Sequence, residues 1–186
     1  VRSRGLGDVY KRQARAGVGV GNIDVEYATE RGILVINTPG KNTNSAAELT
    51  MGLLLSAFRK IVPAHQSMQS LNWDRHRFNG GELLNKSLGI IGLGNVGHRV
   101  ARYAKAFDMK VQAFDPYLAD EVFERHGVQK VDWITLLNTS DVITFHVPLN
   151  DETRGMISEM EIERMKPGVI LLNTARGGVI NDCLLY

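Results

Sequence analysis

The stretch SLGIIGLGNVGHRVARYAKAF, Ser87 to Phe107, constrains the fold more than any other part of the chain. A short apolar run with strand character meets three glycines, Gly92, Gly94 and Gly97, and then a segment with helical spacing of apolar residues. A bare GxGxxG is a weak signal, because glycine-rich turns are common. Placed between a strand and a helix it has one demanding use, which is to bring backbone close to a dinucleotide pyrophosphate. Gly92 allows the tight turn, Gly94 lets the backbone approach the phosphates, and Gly97 lets helix and strand pack closely. The helix start offers unpaired N–H groups and a partial positive charge to the same anion.

Such a unit needs an acidic residue about 20 positions on, at the end of the next strand. Asp115 stands there, closing KVQAFD. Its carboxylate can accept from both hydroxyls of an adenosine ribose. A 2′-phosphate would meet like charge at close range, at a cost of about 1 to 4 kcal/mol depending on local dielectric. The expected cofactor is therefore NAD rather than NADP.

The rest of the chain continues the alternation of strands and helices that marks a parallel sheet covered on both faces. ILVINTPG reads as a strand ending in a turn at Pro39-Gly40. SAAELTMGLLLSAFRKIV reads as a helix with a capping box at Ser45 and Glu48, apolar on nearly every side from Met51 to Phe58. Burial between two domains would explain such a helix, and Pro63 is expected to end or kink it. QSLNWDRHRFNGGELLNK is a polar connector. Beyond it come strand SLGIIG, helix VGHRVARYAKAF, strand KVQAFD, helix LADEVFERHG, strand DVITFHV, helix SEMEIERM and strand VILLNTA. Right-handed crossovers make this a doubly wound α/β sheet of Rossmann type. A second glycine cluster, GVGVGN at 17–22, has neither the third glycine at the right offset nor a following helix, and reads as an irregular loop.

Composition sets limits. At 44% hydrophobic and 23% charged residues, 186 residues describe a globular chain of one to one and a half domains. No apolar run reaches the length of a membrane span, and nothing resembles a signal peptide, so no membrane partner and a cytoplasmic location are expected. The basic balance sits at the start: VRSRGLGDVYKRQ holds Arg2, Arg4, Lys11 and Arg12 against Asp8. The remainder is near neutral, so no nucleic-acid partner is expected. Residues 1–13 have no apolar periodicity and read as a non-native, adaptor-derived segment. The closing CLLY is suspect for the same reason. Cys183 is the single cysteine, and no histidine pair has metal-ligand spacing, so no metal is expected.

Two further residues stand where ligands of open α/β sheets bind, at strand C-termini. His146 follows VITF; a lone histidine there more often packs or hydrogen-bonds than reacts. His65, His76, His98 and His126 lie on helices or connectors. Arg176 follows VILLNTA and precedes two glycines. Its planar guanidinium can clamp a carboxylate through two hydrogen bonds, and the glycines allow close approach.

Taken together, ARAGVGVGNID, NTPGKNTNSAAELT, Trp73 with RFNGGELLNKSLGIIGLGNVG, FDPY, HVPLNDETRGMI and MKPGVILLNTARGGVI resemble the D-isomer-specific 2-hydroxyacid dehydrogenases, most of all those acting on D-3-phosphoglycerate. The similarity covers about residues 14–182. It implies backbone N–H groups of Asn95 and Val96 on the pyrophosphate, Asp115 on the ribose, and Val147, between His146 and Pro148, on the adenine side. It implies Thr174, Ala175 and Arg176 at the nicotinamide half, Val18 closing over it, and Arg176 as the catalytic arginine that binds the substrate carboxylate and C2 oxygen.

The resemblance also implies an organisation. Residues 14–43 would be the remnant of a flavodoxin-like substrate domain, and 44–186 an NAD-binding domain incomplete at its C-terminus. Two positions depart from the family, which usually has aspartate where this chain has Gly21 and Asn181. The family's proton-accepting histidine and its supporting glutamate lie downstream of the arginine motif, so the chain as given is expected to show no turnover. The implied activity is NAD-dependent oxidation of a D-2-hydroxy acid, 3-phosphoglycerate first, by a homodimer. Glyoxylate or hydroxypyruvate reduction is an alternative, as is an NAD-sensing, corepressor-like binding protein.

Overall fold

The computed structural model describes residues 11–181 and Cys183. The chain divides into two compact units between Asn44 and Ser45. The first is small. Strand β1 (Arg12–Ala14) pairs in parallel with β2 (Leu34–Ile36), and helix α1 (Val25–Glu30) lies between them in sequence. Asp24 caps α1 by accepting from the Tyr27 N–H at 3.0 Å. Arg12 and Gln13, expected to lie in a non-native segment, are strand residues here, opposite Leu34 and Val35. A three-residue strand has too short a pattern for periodicity to show, and its ladder bonds are backbone bonds that any side chain permits. The rest of that segment, residues 1–10, lies outside the described residues, as do Asp182 and 184–186.

The second unit begins within helix α2 (Thr43–Phe58), followed by α3 (Ile61–Gln69). The expected single helix is thus two, and the expected capping box gives way, since Ser45 and Glu48 lie inside α2. The break falls at Lys60, which adopts left-handed backbone (φ 51°), and not at Pro63. Pro63 sits in the first turn of α3, where a missing N–H costs nothing. Nor is α2 buried all round. Ala47, Thr50, Met51 and Leu54 are buried, whereas Leu49 and Leu53 are exposed.

The main sheet contains β3 (Ser87–Ile91), β4 (Lys110–Phe114), β5 (Gln129–Lys130), β6 (Val142–Phe145) and β7 (Ile170–Asn173). All are parallel, in the order β5-β4-β3-β6-β7. After α2 and α3, the helices of this unit among the described residues are α4 (Gly97–Ala106), α5 (Asp120–His126), α6 (Trp133–Thr139) and α7 (Glu159–Glu163). Strand β5 and helix α6 were not legible in the sequence: β5 is two residues long, and α6 spans only seven, with its cap at Asp132, which accepts from the Thr135 N–H at 2.9 Å, as its one local signal.

Side chains alternate between two core layers, as strand geometry requires. Leu88, Ile90 and Val142 join Val100, Ala101, Ala104 and Phe123 on one face. Ile91, Ile143 and Phe145 join Leu136, Leu137 and Ile157 on the other. Helix α4 buries Gly97, Val100, Ala101 and Ala104, one stripe at helical spacing. Gly89 faces α6, where a Cβ would lie 2.3 Å from Ser140 Oγ. A parallel sheet buried on both faces leaves only the strand ends open for chemistry.

Candidate functional site

Strands β3 and β6 are neighbours whose connections leave in opposite directions, the switch point at which open α/β sheets bind ligands. The loop from Gly92 to Gly97 emerges there. Gly92 has φ +90°, and a Cβ on it would lie 3.0 Å from His146 O and from Val147 Cγ1. A Cβ on Gly97 would sit 2.2 Å from Gly92 O. Both positions therefore need glycine for close packing. Gly94 is exposed with open space before it, which is the room a phosphate requires. The N–H groups of Asn95 and Val96 meet no acceptor among the described residues. They point to an anion at the start of α4. These features fit a dinucleotide pyrophosphate.

Asp115 follows β4 and reaches the same loop. One carboxylate oxygen accepts from the Leu93 N–H at 3.0 Å and the other from the Tyr117 N–H at 3.1 Å. Each oxygen keeps a second lone pair, so the two can still accept from two ribose hydroxyls. The Tyr117 hydroxyl hydrogen-bonds to Glu152 and thereby joins the loop after β4 to the loop after β6. That bond, then slight desolvation and the nearby Glu152 and Asp115 charges, raises the Tyr117 pKa. A cavity of about 600 Å³ opens beside Asp115, but Phe123, Glu124, Val128 and Lys130 line it, which places it toward α5 and β5 rather than at the glycine loop.

His146 continues the ladder, its N–H donating to Ile91 O at 2.8 Å. Its ring Nε2 lies 3.0 Å from the hydroxyl of buried Thr144. Burial holds its pKa down to about 4, so the ring is neutral near pH 7 and a weak base. Beside it, Val147 packs on Gly92.

The nicotinamide-side candidates follow β7. Asn173 shapes this turn: its Oδ1 accepts from the Ala175 N–H at 3.1 Å and its Nδ2 donates to Arg176 O at 2.8 Å. Arg176 is exposed, with Nη1 donating to Ala175 O at 2.7 Å. Four more guanidinium N–H donors remain for an incoming carboxylate. Thr174 Oγ1 lies 2.8 Å from Thr50 Oγ1 on α2.

Gly92, Gly94, Asn95, Val96, Gly97, Asp115, His146 and Val147 thus converge at the ends of β3, β4 and β6. Thr174, Ala175 and Arg176 stand one strand further along the same edge. Val18 belongs to the first unit, where its carbonyl accepts from Asn37 Nδ2 at 2.8 Å. Sequence reasoning passed over four contributors. Thr50 was a lone hydroxyl in an apolar helix. Tyr117 and Glu152 carried no spacing signal for each other. His98, read as a plain helix residue, braces the loop: its Nδ1 lies 2.8 Å from Gly94 O, and its ring stacks on His126 at 4.7 Å. Desolvation, then the neighbouring His98, lowers the His126 pKa. Among the described residues no three metal-ligating side chains come together, and no helix is long and apolar enough to cross a membrane.

Comparison with known proteins bears on the same edge. Residues 51–186 match the family model described as "D-isomer specific 2-hydroxyacid dehydrogenase, NAD binding domain". The D-3-phosphoglycerate dehydrogenase of Archaeoglobus fulgidus is 51% identical over 172 residues, covering 92% of this chain and 33% of that protein. The hydroxypyruvate reductase of Thermotoga maritima is 48% identical over 173 residues, covering 93% and 56%. The crystal structure of D-lactate dehydrogenase from Aquifex aeolicus complexed with NAD and lactic acid superposes with a TM-score of 0.84 at 37% identity, covering 95% of this chain and 53% of that one. The chain spans about a third of the length of the phosphoglycerate dehydrogenases it matches.

Proposed function

Since the chain belongs to the D-isomer specific 2-hydroxyacid dehydrogenase family, we propose that its parent protein oxidises a D-2-hydroxy acid at the CH–OH carbon, with 3-phosphoglycerate as substrate. The cofactor is NAD, since the matched segment is the family's NAD-binding domain. The glycine cradle with Asp115 beside it is the observation that carries the reading. Asn95 and Val96 present N–H groups to the pyrophosphate, and Asp115 accepts from the ribose. His146 and Val147 line the adenine side, and Thr174 and Ala175 meet the nicotinamide half, with Val18 contributing to it. When bound, the nicotinamide supplies the hydride acceptor.

Arg176 is the catalytic residue of this reading. It holds the substrate carboxylate and steadies charge on the C2 oxygen. His146, with its pKa held near 4 by burial, is a weak acceptor for the hydroxyl proton at neutral pH. We therefore propose that the 186-residue chain binds NAD without turning over. The name shared by relatives at 51% identity supports phosphoglycerate, and the Thermotoga relative favours hydroxypyruvate reduction as the second reading. Exposed Leu49, Leu53, Ile61 and Val62 support a homodimer, and the family resemblance supports a cytoplasmic location.

The test is steady-state kinetics of the full-length protein. The highest kcat/KM is expected for 3-phosphoglycerate with NAD. A higher value for hydroxypyruvate reduction would move the assignment to the second reading, and no turnover with either would end both.

A further inference from the structure

Thr50 is 1% exposed on α2, and its hydroxyl donates to Ala46 O at 2.8 Å. A hydroxyl has one proton, and a carbonyl only accepts. The proton of Thr50 is therefore committed. The 2.8 Å contact between Thr50 Oγ1 and Thr174 Oγ1 must then carry the proton of Thr174. With its own proton spent on Thr50, Thr174 Oγ1 can only accept from anything else.

We infer that Thr50 is a positioning residue: it fixes the direction of the Thr174 hydroxyl, so that the nicotinamide end of the site offers an acceptor and no donor at that atom. This rests on the reading that Thr174 meets the nicotinamide half. An acceptor there matches the N–H₂ of a carboxamide and repels a carboxylate in the same place. The residues thus select the amide form of the dinucleotide over its deamidated, acid form.

The turn after β7 does not depend on Thr50 for its shape, because Asn173 holds the Ala175 N–H and Arg176 O independently. Valine has the outline of threonine, so it would fill the same space in the packed helix face beside Ala47, Met51 and Leu54. Hydroxyl direction and fold can therefore be separated by substitution.

The experiment is calorimetric titration of the 186-residue chain with NAD, deamido-NAD and ADP-ribose. The unsubstituted chain should prefer NAD to deamido-NAD. Thr50→Val frees the Thr174 proton, and should lower that preference about 3- to 10-fold, the equivalent of one hydrogen bond, with ADP-ribose affinity unchanged. Thr50→Ser should keep the preference, and Thr50→Ala carries the same expectation as valine should valine disturb packing. Thr174→Val should lower the preference as well. If Thr174→Val lowers it and Thr50→Val does not, the inference fails while the nicotinamide reading stands. If Thr174→Val leaves it unchanged, the nicotinamide reading fails and the inference with it. Equal weakening of NAD and ADP-ribose by Thr50→Val would show a merely structural role and overturn the inference too.

Discussion

Asp115 holds the glycine loop and Tyr117 through two backbone N–H groups, besides its proposed role at the ribose. Truncation to alanine would strand both donors, so Asp115→Asn is the cleaner probe: it keeps an acceptor and removes the charge. The preference for NAD over NADP should narrow about fivefold or more, since the relieved repulsion is about 1 to 4 kcal/mol. Fluorescence titration with the two reduced cofactors would read this, and an unchanged ratio would reduce Asp115 to a loop brace. His146 predicts a pH effect. Its folded pKa of about 4 lies below the unfolded value near 6.5, so the unfolded chain binds the extra proton between those limits. Stability should be unaffected above about pH 6.5 and fall as pH drops toward 4, by at most about 1.4 kcal/mol per pH unit from this one group. Urea midpoints across that range should fall less steeply for His146→Asn.

The strand–loop–helix from β3 to α4 depends on backbone contact more than on side chains. Gly97→Ala places a Cβ 2.2 Å from Gly92 O, a backbone atom with no rotamer to yield. Loss of about 1 to 3 kcal/mol is expected, together with loss of NAD binding, because the displaced loop carries the phosphate donors. Wild-type affinity in a folded Gly97→Ala chain would contradict the cradle. Strand β1 bears on the expectation that residues 1–13 are non-native. Were residues 1–13 foreign to the fold, removing them would cost nothing. Arg12 and Gln13 pair with Leu34 and Val35, so removal takes away two of the three residues of that strand. Far-UV circular dichroism with thermal melting should show a lower midpoint for the first unit, and an unchanged one would return the segment to the dispensable class.

For the whole molecule, NAD should stabilise by mass action, about 2.7 kcal/mol at a hundred times its Kd. Hydrogen exchange localises the effect. Slower exchange is expected across Gly92–Gly97, around Asp115 and at His146–Val147. Val18 in the first unit should slow too, and an unaltered Val18 amide would remove it from the cofactor's contacts.

The elements legible in the sequence were those with a clear local pattern, β3, α4, β4, α5, β6, α7 and β7, and the glycine spacing of the loop follows from backbone sterics alone. NAD as cofactor and the places of Gly92, Gly94, Gly97 and Asp115 followed from those local rules, because each depends on a few neighbouring residues. What only the tertiary structure decided depends on partners distant in sequence. Left-handed backbone at Lys60 split the long helix, one face of α2 stayed exposed, and a two-residue β5 gained its identity only by pairing with β4. The Thr50–Thr174 bond joins residues 124 positions apart. No local periodicity encodes such a contact, because the direction of a hydroxyl proton is set by which acceptors the folded chain brings within reach.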